Sequence, residues 1–143
     1  MKYVAILLTL VLVACLAGTA YLYLTCEVTV EALGVTATEA ASQRERLAEL
    51  QVGEDLTGYV LYTWRIRVKN TTFVELDELQ TLAALQPGDV CQLDAARAWK
   101  LAPRSEGELE ITVLTRVNTT PVREATVSWY LWGQPTVRSL TLR

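Results

Sequence analysis

Residues 59–70 read YVLYTWRIRVKN, the cleanest alternation in the chain. In an extended backbone successive side chains point to opposite sides. Val60, Tyr62, Trp64, Ile66 and Val68 then share one apolar face, and Thr63, Arg65, Arg67 and Lys69 the wet one. Aromatic and β-branched residues fit a half-buried pleated surface, so the stretch is expected to be a strand of a sheet with one face on a core.

Working outward, residues 108–118 repeat the pattern, with Leu109, Ile111, Val113, Thr115 and Val117 inward and Glu110, Thr112 and Arg116 outward. Further strands are expected over 90–93, 122–132 and 136–142, set apart by turns at Pro87-Gly88-Asp89, Pro103 to Gly107 and Gly133-Gln134-Pro135. Upstream, Val28, Val30 and Ala32 alternate with Glu27, Thr29 and Glu31, and Gly34 marks a bulge or bend. Ala40, Ala41, Leu47 and Leu50 suggest a short helix or ordered loop, ended by Gly53. Phe73, Leu76, Leu79, Leu82 and Leu85 mix periods of two and three, so only the start of that segment reads as strand. Trp99 is expected in the core. Strands recurring about every ten residues between Gly and Pro turns imply a sandwich or barrel.

Residues 3–24, YVAILLTLVLVACLAGTAYLYL, carry no charge. As a helix they would cover about 33 Å, enough to cross a hydrocarbon core of roughly 30 Å. Lys2 on one side and Glu27 on the other put the amino end inside and the remaining chain outside by the positive-inside rule, with Tyr21 and Tyr23 near the outer interface. Two processing alternatives stay open. Leu12-Val13-Ala14-Cys15 is similar to a bacterial lipobox, which makes Cys15 a candidate for lipidation, and Gly18-Thr19-Ala20 offers a small-x-small cleavage pattern. The division expected is a signal anchor or transmembrane helix over 1–25 and an extracytoplasmic β-sandwich over 26–143, at a cell membrane or envelope.

Composition narrows the chemistry. Beyond the anchor, 12 basic and 16 acidic residues leave a mildly acidic surface, which gives nucleic-acid binding nothing to drive it. The 143 residues include no histidine. That removes Ser-His and Cys-His nucleophile pairs, imidazole zinc sites and the usual general base near neutrality. No catalytic motif is present, and the expectation is no enzyme, no cofactor and no metal site. Three cysteines allow one bridge outside a cell, Cys26 to Cys91, against two unpaired thiols.

Other features have a plain and a functional reading. In SWYLWG, Trp129 points inward with Val127 and Leu131, leaving Tyr130 and Trp132 as a possible ligand, glycan or partner surface or the rim of a core. Asp77 and Glu78, then Asp89 and Asp94, are acidic groups at loop ends but lack the density of a calcium loop. The stripe Arg65, Arg67 and Lys69 suits an anionic polymer or headgroups, or a solvated face opposite acids such as Glu110. Asn70-Thr71-Thr72 and Asn118-Thr119-Thr120 match the glycosylation sequon.

The strand ending Ile66-x-Val68-x-Asn70, followed by Leu101-Ala102-Pro103-x-Ser105 and an alternating Leu109-x-Ile111-x-Val113, resembles bacterial immunoglobulin-like modules of the CARDB type over Tyr59 to Val117. Arg104 stands where that pattern carries Gly. The resemblance implies an all-β, immunoglobulin-like sandwich of about seven strands serving adhesion, spacing or assembly. Function is therefore expected to be that of a membrane-anchored, non-enzymatic structural or protein-interaction module, with glycan or small-ligand binding as the alternative.

Overall fold

The computed structural model describes residues 2–49 and 55–143, with the side chains of residues 2 and 22–25 outside the description. Helix α1 spans Lys2–Thr25, and strand β1 is Val28–Glu39. A 3-10 turn, Ala40–Gln43, leads into a one-and-a-half-turn helix α2, Arg44–Glu49. The other strands are β2 Tyr59–Asn70, β3 Leu76–Ala83, β4 Asp89–Leu93, β5 Trp99–Leu101, β6 Ser105–Arg116, β7 Arg123–Leu131 and β8 Gln134–Leu142. The expectations placed on Leu50, Gly53 and the Tyr23 side chain fall outside the described residues.

The strands form two four-stranded antiparallel sheets in the orders β1-β2-β6-β4 and β5-β3-β7-β8. Without β5 these are the four-on-three strand orders of a constant-type immunoglobulin sandwich. The eighth strand, beyond the expected seven, is β5, three residues long.

Alternation builds the core as expected from the sequence. Trp64, Ile66 and Val68 of β2 and Leu109, Ile111 and Val113 of β6 are buried against Leu76 and Leu79 of β3 and Ala125, Val127 and Trp129 of β7. Each such burial is worth about 1.5–3 kcal/mol. In β1 the register skips Leu33 between Ala32, opposite Ile66, and Gly34, opposite Arg65. One extra residue flips side-chain parity. Val28, Val30 and Ala32 thus share the inward face with Val35 and Ala37 beyond the bulge.

Two expectations are corrected, on Val117 and on the segment from Phe73 to Leu85, and the structure adds a second buried cluster. Leu61 and Leu114 face away from the main core, yet both are buried in a second cluster with Ala40, Leu47, Leu56 and Leu93. Helix α2 is too short to persist alone and is held by Leu47 in that cluster. Val117 is exposed because β6 stops at Arg116 and the chain turns. The mixed spacing of β3 reflects a register break between Leu76 and Leu79, with Glu78 at φ 48°; Leu76 and Leu79 are buried, whereas Phe73, Leu82 and Leu85 are exposed.

Helix α1 is apolar on every side from Tyr3 to Tyr21 and buries none of that length against the sandwich. The hydroxyls of Thr9 and Thr19 are satisfied within the helix, Thr9 donating to the Ala5 carbonyl at 2.9 Å and Thr19 to the Cys15 carbonyl at 2.8 Å. The helix is long and apolar enough to cross a membrane.

Candidate functional site

Strand register shows which loops share an end. Val28 lies opposite Asn70 and Asn70 opposite Ser105, so the start of β1, the end of β2 and the start of β6 are level. Leu76 pairs with Leu101, and Asp77 with Tyr130, which brings the start of β3, the end of β5 and the end of β7 to the same end. Three connections therefore surround the entry of α1: residues 71–75, the turn at 102–104, and the β7–β8 hairpin.

Asn70 ties two of them together. It is buried, and its Nδ2 donates to the carbonyls of Val74 at 2.8 Å, Ala102 at 3.0 Å and Leu101 at 3.4 Å. Its Oδ1 accepts from the Thr72 amide at 3.0 Å and the Thr72 hydroxyl at 2.6 Å. A residue so enclosed cannot carry a glycan in the folded protein, which removes one of the two sequons; Asn118 is exposed.

The hairpin closes through Trp132 and Gly133, between the paired Leu131 and Gln134. Both loop residues have positive φ, 53° and 73°. Two left-handed residues make a type I′ turn, which suits the twist of a hairpin and favours Asn-Gly. The turn thus lies one or two residues earlier than Gly133-Gln134-Pro135, and Pro135 sits in the edge strand β8, where no ladder partner requires its missing N–H. Trp132 is 72% exposed and Tyr130 41%, while Trp129 is buried, as alternation requires.

Tyr130, Trp132 and Gly133 line an open cleft of about 590 Å³ with Glu75, Asp77 and Glu78. Lys100 reaches into this acidic rim, 3.1 Å from Asp77 and 3.6 Å from Glu75. Its hydrogen bond holds the Asp77 carboxyl below the ordinary carboxylate value, and the same bond raises the Lys100 ammonium. On the other side of this end, the Arg104 guanidinium stacks over the exposed Phe73 ring at 4.0 Å. Arg104 has φ 50°, so it occupies in the left-handed region the place where the resembled pattern carries Gly. Glu78, Arg104 and Trp132 are three of the four described non-glycine residues with positive φ, and all lie at this end.

The remaining candidates do not join this site. Cys26 and Cys91 are free thiols. Cys26 precedes β1 at one edge of its sheet, whereas Cys91 lies in β4 at the other edge, level through Leu114 and Leu61 with Thr38 at the far end of β1. Three strand spacings of about 4.8 Å and some ten residues of rise separate them, against the roughly 4.4–6.8 Å between Cα atoms that a disulfide needs. Of the two alternatives, a Cys26–Cys91 bridge or unpaired thiols, the structure has the unpaired thiols, and burial pushes the Cys91 thiol up. Cys15 is exposed on α1.

Arg65, Arg67 and Lys69 lie opposite Glu110, Glu108 and Glu106 in turn, with an Arg67–Glu108 contact at 3.1 Å, which supports the reading of a solvated, charge-balanced face. The acidic groups are dispersed. Asp77 and Glu78 border the cleft, Asp94 pairs with Arg46 at 2.7 Å, and Asp89 is at the opposite end of the sandwich. Among the described residues no three acidic or cysteine side chains gather as a metal would require.

Asp89, expected among the acidic groups at loop ends, is not a solvated loop charge. The side chains of Asp89 and Arg123 are fully buried and paired bidentately, Nη2 to Oδ1 at 2.6 Å and Nε to Oδ2 at 2.8 Å. The available signal was parity, since Arg123 falls on the inward odd series of Ala125, Val127 and Trp129. No protein-family model and no curated protein sequence matches this chain, so its function is argued from its own geometry.

Proposed function

We propose that this chain is a membrane-anchored, non-enzymatic interaction or structural module, its sandwich held outside the cytoplasm in a cell envelope. The observation that carries the reading is the junction. Only Cys26 lies between the last residue of α1 and Glu27, and Glu27 is fixed to the domain. Its carbonyl accepts from the Thr71 amide at 3.1 Å and the Thr71 hydroxyl at 2.6 Å, and its amide lies 2.9 Å from that hydroxyl. A tether of one free residue spans about 3.5 Å, which keeps the domain against whatever α1 is embedded in. A CARDB-type relationship is part of the same proposal. Asn70, from one half of that pattern, hydrogen-bonds the Leu101 and Ala102 carbonyls of the other, which gives the two halves a physical reason to occur together.

The test is the intact mass of the protein purified from membranes, with protease added to sealed vesicles. Full-length mass and a sandwich cleaved only from the outer side would establish a retained anchor and the stated orientation. A mass beginning at Cys15 with acyl chains would make it a lipoprotein, and recovery in the soluble fraction would refute anchoring.

A second reading, glycan or small-ligand binding, draws on the cleft under Tyr130 and Trp132, where flat rings adjoin acidic hydrogen-bond acceptors. A glycan array probed with the protein and with Trp132→Ala decides it, since binding that survives the substitution removes the aromatic platform.

A further inference from the structure

We propose that the end of the sandwich entered by α1 is a membrane-contacting surface, with Trp132 and the Phe73–Arg104 stack resting in the headgroup layer of the bilayer that α1 crosses. The proposal rests on the anchored reading and adds to it a lipid-facing surface on the domain itself.

Exposed large apolar side chains are sorted by type along this molecule. Among the described residues after α1, the exposed aromatics are Phe73, Tyr130 and Trp132, and all three are at the α1 end. The other seven exposed large apolar residues are aliphatic and lie on the sheet faces, on edges or at the far end. Aromatic rings with a polar or charged companion are the groups that partition to the membrane–water interface, whereas aliphatic side chains show no such preference.

Reach agrees with chemistry. Phe73 is two residues from Thr71, which holds Glu27 at the foot of the helix. The 71–75 loop is bound through Asn70 to the 102–104 turn that carries Arg104. Two of these side chains stand on strained backbone. Trp132 and Arg104 occupy left-handed conformations that cost a bulky L-residue roughly 1–2 kcal/mol, and strain of this kind persists where the surroundings impose it, commonly at functional positions. The Arg104 guanidinium lies over the Phe73 ring at 4.0 Å, a stacking that uses its face and not its N–H donors, which a phosphate can then engage.

Charge complementarity selects the lipid. Arg104, Lys69 and Glu106 border one side of this end, and Glu75, Asp77 and Glu78 the other, with Lys100 neutralising part of the acidic side. A surface carrying both signs matches zwitterionic headgroups, which present phosphate and ammonium together, and would be repelled on its acidic side by an anionic leaflet.

Residues 1–25 contain no tryptophan, so tryptophan emission of the full chain reports on the sandwich alone. The experiment reconstitutes the full-length protein in phosphatidylcholine vesicles, with and without phosphatidylcholine brominated on the acyl carbons nearest the headgroup, and follows flotation and emission. Trp132→Asn is the matched variant, because Asn-Gly is the preferred pair in this turn and leaves the hairpin intact. Brominated lipid is expected to quench the wild type and to quench Trp132→Asn roughly twofold less or weaker still. Flotation without quenching would overturn the lipid contact while leaving the anchor standing, and would return Trp132 to a glycan or protein partner. Equal quenching in both proteins would place any contact away from Trp132 and overturn the proposal as well. Failure to float would remove the anchored reading and this surface with it.

Discussion

At the end of the sandwich remote from α1, a buried guanidinium and carboxylate, Arg123 and Asp89, hold the connecting loops; at the end next to α1 a neutral amide, Asn70, has that role. Arg123 also reaches Gln86 Oε1 at 3.0 Å and the Val122 carbonyl at 2.8 Å, and Asp89 accepts from the Gln86 amide at 2.8 Å. Both hubs join a strand terminus to flanking loops, yet they differ in what they require of the surroundings. An ion pair in a dry site depends on mutual pairing and on further hydrogen bonds that offset its desolvation, since either charge alone would be stranded. An amide carries no net charge, so a surface potential acts on it only weakly, and breaking its bonds strands dipoles rather than an ion. The far end is sealed, whereas the α1 end keeps its exposed rings and strained residues outside a hub that tolerates a changing environment.

The largest expected effect follows from removing one charge of the sealed pair. Asp89→Asn leaves Arg123 buried without a counter-ion and should destabilise the protein by about 3–5 kcal/mol. Thermal melting of the full chain in detergent, followed by near-ultraviolet circular dichroism, measures it. The joint replacement Asp89→Leu with Arg123→Met should be much less harmful than either single change, and equal losses would show that shape rather than charge closes this end. The pH dependence has a definite sign. Burial pushes the Asp89 carboxyl up, but hydrogen bonds from Arg123, the Gln86 amide and Thr115 outweigh it and hold the folded value below the ordinary 3.8. Such a group contributes fully above its unfolded pKa and loses that contribution as pH falls through the folded one. The wild type should therefore lose stability below about pH 3.8 more steeply than Asp89→Asn does.

Asn70→Ala tests the other hub. It removes the Nδ2 donor shared by the carbonyls of Val74, Leu101 and Ala102 and strips the Thr72 amide of its acceptor. The Thr72 and Ser105 hydroxyls still donate to Val74 and Ala102, for an expected loss of about 1–3 kcal/mol by urea unfolding. If this loss equals that of Asp89→Asn, the contrast between charged and neutral hubs carries no energetic weight.

How much of this was legible beforehand depended on whether a residue's role was set by its neighbours in sequence. The inward series of β2 and β6 is local, and alternation located Trp64, Ile66, Leu109, Ile111 and Val113 correctly. The exposure of Tyr130 and Trp132 followed from the same parity, and Gly34 marked the bulge. Leu61 and Leu114 escaped because their burial depends on α2 folding over the outer face, a long-range event without a local signature. The choice between a Cys26–Cys91 bridge and two unpaired thiols stayed open for a related reason, since cysteine spacing does not reveal which strands become opposite edges. In β3 the bulge at Asp77–Glu78 broke the period that identifies a strand. Gathering Phe73, Arg104 and Trp132 at one end required strand order, because 59 residues separate the first from the last.

The two buried tryptophans give a finer version of the comparison. Trp64 donates its Nε1–H to the Pro121 carbonyl at 3.0 Å, in the loop next to the Arg123 hub. Trp129, nearer α1, has a buried Nε1 with no hydrogen-bond partner. Phenylalanine at either site removes similar apolar area, but at 64 it also strands a carbonyl, while at 129 it removes an unsatisfied donor. Trp64→Phe should cost about 1 kcal/mol more than Trp129→Phe in the same urea titration. Equal costs would show that polar satisfaction does not distinguish the two ends.

The smallest expected effect has the opposite sign. Trp132→Asn replaces a bulky residue held at φ 53° with the residue this turn favours, and it exposes no new cavity because Trp132 is already 72% exposed. The substitution should raise stability by about 1 kcal/mol in detergent melts. On lipid vesicles the same variant should lose the contact assigned to the ring, so its advantage over the wild type should shrink or reverse when micelles give way to a bilayer. A gain of equal size in both media would mean that the strain at Trp132 is not offset by lipid and that its exposure serves some other ligand. A loss in detergent would mean that the ring packs on the rim formed by Glu75, Asp77 and Tyr130 strongly enough to outweigh the backbone strain, which would turn the exposed end into a structural contact.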